Sequence, residues 1–260
     1  EEELILTENT QPALMAVSIA VIKILKKRGF ELSGVSAGHS LGEYTALTAS
    51  NSFSIKDAAL TLKVRGKAMQ RSVGKNKGSM AAILGLNIDQ IEEIISRNKL
   101  QDNVFIANDN ADGQVVLSGL KESIESSLEI FKENGARKAM KLPVSAPFHC
   151  PLMRSAQDIM EKTLSTIKLD SPDIPVISNV TVDFSSDENL IKNNLVNQVT
   201  EMVRWRETMI KFLDLGVKEF YEIGSGSVLS NLAKRSCPSF KRKSAGNKDS
   251  VESLLLELDF

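Results

Sequence analysis

The sequence predicts an α/β protein: a large domain with a mainly parallel sheet and a nucleophile elbow, interrupted by a small inserted ferredoxin-like subdomain. Two observations carry this. Val35-Ser36-Ala37-Gly38-His39-Ser40-Leu41-Gly42-Glu43-Tyr44 reads as a strand end, a serine bracketed by glycines and the first turn of a helix, which is the spacing a sharp strand-to-helix turn needs if side chains are not to collide. Between Met80 and Leu142 the signals run β-α-β-β-α-β, the order of a split βαβ unit. A polar linker at residues 75–78 and the proline at Pro143 bound that unit. The large domain therefore takes residues 1–75 and 144–260 and the small one 76–143, with a cleft between them.

Taken in order, Thr10 is expected to cap a helix with Pro12 in its first turn, an inner stripe of Leu14, Val17, Val21, Ile24 and Leu25, and an end at Gly29. Leu32 to Ala37 reads as a short central strand, and residues 41–49 as the helix behind Ser40. Ser54 followed by Asp57 resembles a capping box and opens a helix to about Val73. On it Ala58, Leu62, Arg65 and Met69 share one face, so Arg65 projects from an apolar stripe. A guanidinium aimed inward needs an anion, which a structural ion pair would also supply.

In the small unit, strands are predicted at Met80–Leu84, Val104–Ala107, Gln114–Ser118 and Ala136–Leu142, with helices capped by Asn87 and running over 123–133. Three prolines between Pro143 and Pro151 make a rigid return to the large domain, with His149 at the mouth of the next helix. Then come a strand at Val176–Ser178, helices over 190–199 and 205–215, a strand at Glu219–Ile223, and a Gly224-Ser225-Gly226 turn into a helix over 228–235. Cys237 to Asp249 is basic and polar and reads as an exposed loop before a last amphipathic helix.

With 260 residues the chain can bury a sizeable core. A net charge of −1 exerts no global pull toward nucleic acid or anionic membrane. Two cysteines, Cys150 and Cys237, make neither a disulfide framework nor a four-ligand zinc site and point to a reducing compartment. The most apolar run, Ala13 to Leu25, carries Lys23 and helical periodicity, which suits a packed helix better than a bilayer span. The expected setting is cytoplasmic, or alternatively an organelle matrix, and the expected state a monomer.

A serine hydroxyl is a weak nucleophile at neutral pH and needs a base within hydrogen-bond reach. The chain has two histidines, His39 and His149. His39 precedes Ser40 on the turn, where its side chain diverges, so packing beneath the turn is its expected task and His149 is the candidate base. The N–H of Leu41, at the start of a helix, is the natural oxyanion donor.

Gly-His-Ser-Leu-Gly-Glu-Tyr resembles the nucleophile motif of the malonyl-CoA:acyl carrier protein transacylases and related acyltransferase domains. Phe148-His149 is similar to that family's histidine motif. The likeness continues through Val64-Arg65-Gly66-Lys67, Asn108 to Val116, Ser178-Asn179-Val180 and Tyr221-Glu222-Ile223-Gly224. It implies transfer of a malonyl group from malonyl-CoA to the phosphopantetheine thiol of an acyl carrier protein in fatty acid biosynthesis, through an ester on Ser40, without metal or other cofactor.

In that family a backbone carbonyl or an amide side chain orients the histidine, and Gln198 falls at the matching position. Arg65 matches the arginine that pairs with the malonyl carboxylate; substrate-binding roles follow for Met69, Asn108 and Asn110. Acyl carrier proteins are acidic, so Lys63, Lys67, Arg71, Lys75 and Lys77, with Lys234 and Arg235, are a candidate basic rim. The chain begins at Glu1 rather than Met. Against the family, about fifty preceding residues are expected, holding a first strand and a Gly-Gln-Gly-Ser-Gln loop that adds a glutamine and an oxyanion donor. Ser225 stands where the family commonly has proline.

Two rivals use the same residues. A serine hydrolase or thioesterase would share the elbow, although an α/β-hydrolase places its histidine near the C-terminus, whereas His149 is mid-chain. A non-catalytic module that only docks a carrier protein would have no need of Ser40, His149 and Arg65 together.

Overall fold

A computed structural model describes residues 2–74, 76–144 and 146–258. Lys75 of the expected basic rim and Ser145 of the proline-rich return lie outside the described residues.

The chain opens with a single turn, α1 (Glu2–Ile5), and a long helix, α2 (Thr7–Lys27). The second helix starts earlier than the sequence suggests, because the Thr10 hydroxyl donates to carbonyls of the preceding turn, those of Leu4 and Leu6, instead of capping a new one. Its inner face also differs. Of the expected stripe Val21 and Leu25 are buried, with Gln11, Met15, Ile19 and Ile22 beside them, while Val17 and Ile24 are 40% and 48% exposed.

A two-residue strand β1 (Ser36–Ala37) leads into α3 (Leu41–Ala49), followed by α4 (Ile55–Arg71). The predicted strand from Leu32 is shortened because only Ser36 and Ala37 find a partner, pairing in parallel with β6 (Val176–Ile177). Ser54 caps α4 by accepting from the Asp57 N–H at 3.0 Å. The stripe on α4 faces inward as its spacing requires, with Ala58, Leu62, Arg65 and Met69 all essentially inaccessible. Gly66 lets α2 cross close by, since a Cβ there would lie 2.4 Å from the Cα of Glu8.

Next come β2 (Gly78–Leu84), α5 (Ile88–Arg97), β3 (Val104–Ala111), β4 (Gln114–Leu120), α6 (Lys121–Glu133) and β5 (Lys138–Lys141). Their four strands form one antiparallel sheet in the order β3-β4-β2-β5. Both helices pack their apolar faces on it, around Ile83, Ile91, Val115, Leu117, Ile124 and Phe131. Asn87 and Gln90 close a reciprocal capping box at the start of α5.

A 3-10 turn (Pro151–Met153) precedes α7 (Arg154–Ser165). After β6 come α8 (Glu188–Asn197), α9 (Trp205–Asp214), β7 (Glu219–Ile223), α10 (Val228–Ser236), β8 (Lys241–Ala245) and α11 (Lys248–Glu257). The expected exposed loop from Cys237 to Asp249 in fact contains β8, paired in parallel with β7. Lys241 is exposed, Arg242 and Lys243 are half-buried, and Cys237, Phe240 and Ala245 anchor the segment inside; charged side chains of this kind suit an edge strand. Among the described residues the strands outside the antiparallel sheet form two separate parallel pairs, β1-β6 and β7-β8, and not one continuous sheet.

The edge of β3 is stitched to the segment before α9. Asp109 N–H donates to Val203 O at 3.0 Å, Val203 N–H donates to Ala107 O at 2.9 Å, and Arg206 on α9 pairs with the buried Asp109 carboxylate at 2.8 Å. No helix among the described residues is long and apolar enough to cross a membrane.

Candidate active site

Ser40 sits at the turn between β1 and α3 with φ 54° and ψ −112°. A positive φ on a non-glycine residue costs about 1–3 kcal/mol and persists only where neighbours enforce it. Here Asn179, just past β6, supplies the restraint. Its Oδ1 accepts from the Ser40 N–H at 2.7 Å and its Nδ2 donates to Gly38 O at 2.8 Å. Gly38 is where strand and helix touch, since a Cβ there would fall 1.9 Å from the carbonyl carbon of Gly42. Gly42 itself has open space on that side, so of the two glycines expected to clear the turn only Gly38 is needed for clearance.

His149 follows the proline-rich return and also has positive φ, 57°. It is buried, and its Nε2 lies 2.8 Å from Ser40 Oγ. Its Nδ1 lies 2.7 Å from the backbone carbonyl of Gln198. A carbonyl only accepts, so Nδ1 carries the hydrogen and the Nε2 lone pair faces the serine hydroxyl. Burial first, and the charge of Arg65 second, push the imidazole pKa down to about 3, which keeps the ring neutral and able to take a proton.

Gln198 ends α8 and is fully buried, with partners on both ends of its side chain. Oε1 accepts from Arg65 Nη2 at 2.8 Å; Nε2 donates to Glu43 at 2.6 Å and to Ser40 O at 3.1 Å. The guanidinium of Arg65 also donates through Nη1 to Gln11 Oε1 at 2.7 Å and through Nη2 to Ser40 Oγ at 3.2 Å. The Tyr44 ring lies 5.6 Å from Arg65 Cζ, and Arg65 Nε has no hydrogen-bond partner among the described residues. Among the described residues, the groups that accept from this buried cation are neutral. The Leu41 N–H opens α3 and meets no backbone acceptor among the described residues.

Three other expected residues stand further back. Met69 is enclosed in the core and meets Gln11 Nε2 through its sulfur at 3.9 Å. Asn110 faces His39 Nε2 with its Oδ1 at 2.8 Å, and His39 lies 5.4 Å from the Trp205 ring, so His39 packs under the turn. Asn108 bridges from β3 to Val203 through the main chain. An open cavity of about 460 Å³ adjoins His149, walled by Ile95, Val104, Phe105, Ile106, Cys150 and Met202 among others.

Sequence reasoning missed Glu43, Asn179 and Gln11 as site residues. Glu43 is a buried carboxylate whose Oε2 accepts from the Asn179 N–H at 3.0 Å as well as from Gln198. Burial pushes its pKa up to about 7 against those hydrogen bonds. Gln11 shares the α2 stripe of Met15 and Ile19, a polar residue on an apolar face, which is the signal that singled out Arg65. Asn179 carries no comparable pattern in a loop.

Helices packed on strands, with a serine at a strained strand-to-helix turn beside a buried imidazole, define an α/β protein. Residues 1–253 match the acyl transferase domain family. The malonyl CoA-acyl carrier protein transacylase of Bacillus subtilis (strain 168) is 40% identical over 252 residues, 96% of this chain and 79% of the relative. The crystal structure of an acyl-carrier-protein-S-malonyltransferase from Bartonella henselae superposes with TM-score 0.94 at 44% identity, covering all of this chain and 83% of that one. A type II PKS acyl-carrier protein in complex with its malonyl-transacylase gives TM-score 0.95 at 36% identity, over 98% of this chain and 83% of that one. The chain belongs to the acyl transferase domain family.

Proposed function

We propose that the protein transfers a malonyl group from malonyl-CoA to the phosphopantetheine thiol of an acyl carrier protein, in fatty acid biosynthesis, through a malonyl ester on Ser40. The observation that carries this is the buried Arg65 guanidinium, held by neutral acceptors and 3.2 Å from the same Ser40 Oγ that His149 reaches at 2.8 Å. A carboxylate on the acyl group would complete that cation's pairing, and a planar fork receives it through two parallel charge-assisted bonds.

His149 Nε2 takes the Ser40 proton as Oγ attacks the thioester carbonyl, and the oxyanion develops toward the Leu41 N–H. Collapse expels the CoA thiolate, which takes the proton back from Nε2. The carrier-protein thiol then gives its proton to the same nitrogen, attacks the ester, and leaves as malonyl thioester while Ser40 is reprotonated. Gln198 orients His149 through its carbonyl, not its side chain. That leaves the imidazole without a carboxylate partner, sufficient for a thioester donor. One thioester replaces another, so the chemistry calls for no metal or redox group.

In this reading the Ser40 turn is a nucleophile elbow, and residues 76–143 are a ferredoxin-like subdomain inserted between the large-domain segments 1–75 and 144–260. The β-α-β-β-α-β order and the single four-stranded sheet support that division. Asn110 also holds His39 at 2.8 Å, and Met69, Asn108 and Asn110 are the proposed substrate-binding residues behind the Ser40, His149 and Arg65 group. Exposed Lys67, Arg71, Lys77, Lys234 and Arg235 are the proposed carrier-protein rim. Lys63 is partly engaged by Glu8 at 3.7 Å.

Intact-mass measurement after brief exposure to malonyl-CoA tests the reading. An adduct of malonyl size is expected, absent in Ser40→Ala and discharged by holo carrier protein as malonyl thioester. Rapid release of free malonate with no transfer would instead assign a hydrolase, and no adduct at all a docking module.

A further inference from the structure

Glu43 touches neither the serine hydroxyl nor the imidazole, yet one of its carboxylate oxygens collects two of the bonds on which the site depends. Oε2 accepts from the Asn179 N–H at 3.0 Å and from Gln198 Nε2 at 2.6 Å. Asn179 restrains the Ser40 turn through its side chain. Gln198 holds Arg65 through Oε1 and His149 through its backbone carbonyl. A glutamine amide can flip by exchanging oxygen for nitrogen at little cost in shape. Here the Arg65 guanidinium, which only donates, faces Oε1, while the Ser40 carbonyl and Glu43 Oε2 accept from Nε2, so a single orientation is satisfied.

We propose, on the transferase reading above, that Glu43 is a positioning residue that fixes the Gln198 side chain and thereby the aim of the Arg65 fork, so that it acts on selection of carboxylate-bearing acyl groups more than on acyl transfer in general. Away from the serine, the other described side-chain contacts of Arg65 are the Gln11 amide oxygen and the face of Tyr44. Loosening Gln198 lets the fork turn while leaving Ser40 and His149 in register through the Asn179 side chain and the main-chain carbonyl.

The test compares malonyl-CoA with acetyl-CoA as donors to Ser40 in the full-length wild-type protein, Glu43→Gln, Glu43→Asp and Glu43→Ala, with thermal melts alongside. In Glu43→Asp and Glu43→Ala, kcat/KM for malonyl should fall about 100-fold and for acetyl about tenfold or less, so the malonyl-to-acetyl ratio drops about tenfold. Glu43→Gln keeps an oxygen at the Oε2 place and should hold the ratio within about threefold of wild type. A ratio unchanged in Glu43→Asp overturns the proposal, as does a ratio lost equally in Glu43→Gln. If Glu43→Asp and Glu43→Ala do not fold while Glu43→Gln melts like wild type, the residue serves folding alone and the proposal also fails. A wild-type protein that takes no malonyl group refutes the transferase reading itself, which separates that failure from this one.

Discussion

At the scale of single residues, the acid–base behaviour of His149 follows from where it is buried. In the proposed mechanism His149 acts through its neutral ring, so a pKa pushed down to about 3 by burial places the loss of activity on acidification well below the usual histidine range. Formation of the Ser40 ester should therefore be nearly independent of the histidine between pH 8 and pH 5. Arg65→Ala removes a positive charge that opposes protonation, so in that variant the acid limb, followed with acetyl-CoA, should move to higher pH. An acid limb at pH 6.5 or above in the wild-type protein would contradict the buried, neutral base. The polar residues that build this environment were unevenly legible. Ser40, His149 and Arg65 each announce themselves by motif, scarcity or a polar interruption of an apolar face. Glu43 lies within the recognised motif, but its task is set by Asn179 and Gln198, 136 and 155 positions away, and no local pattern encodes that meeting.

At the scale of elements, two glycines separate close approach from mere helix composition. Gly38→Ala places a methyl 1.9 Å from the Gly42 carbonyl carbon, so β1 and α3 must part and the Ser40 turn with them. The variant should lose ester formation even where it remains folded. Gly42→Ala meets open space on a helix and should leave stability level or raise it by up to about 1 kcal/mol, since alanine is the better helix former. Thermal melts of the pair check this, and equal destabilisation by both would refute the clearance argument. Gly66→Ala should destabilise by about 1–3 kcal/mol, because its new methyl meets the α2 backbone at Glu8, not a movable side chain. Elements with caps and clean periodicity, such as α4 and α5, were readable to within a residue or two. β8 was not, because Lys241-Arg242-Lys243 has the composition of a loop and becomes a strand only by pairing with β7. The start of α2 was misplaced because Thr10, a good cap by type, bonds backward into the preceding turn.

For the whole molecule, the question is what keeps the antiparallel unit in place against the serine turn. The Ala107–Val203–Asp109 main-chain bonds, the Arg206–Asp109 pair and the His39–Asn110 contact all tie β3 to the large unit. Arg206→Ala would leave the Asp109 carboxyl buried without its cation, and removing one member of a buried pair costs about 3–5 kcal/mol. The exposed part of Arg206, 27% of its side chain, puts the expected loss at or below the lower end of that range. Denaturant unfolding should show it, and an unchanged midpoint would mean the clasp contributes nothing. The run of elements from β2 to β5 could be followed along the chain, whereas these ties could not, since they rest on single residues from β3, the turn after β1, the segment before α9 and α9 itself.

The proposed transfer depends on the partnership between an inward-facing cation and a reactive hydroxyl, and one comparison tests it. Single-turnover labelling of Ser40 by malonyl-CoA and by acetyl-CoA, in wild type and Arg65→Ala, should show malonyl favoured by two orders of magnitude or more in the wild type, as expected for about 3–5 kcal/mol tied to a buried charge pair. The substitution should erase that preference while acetyl labelling holds or rises. Equal losses for both acyl groups, or no preference in the wild type, would contradict it.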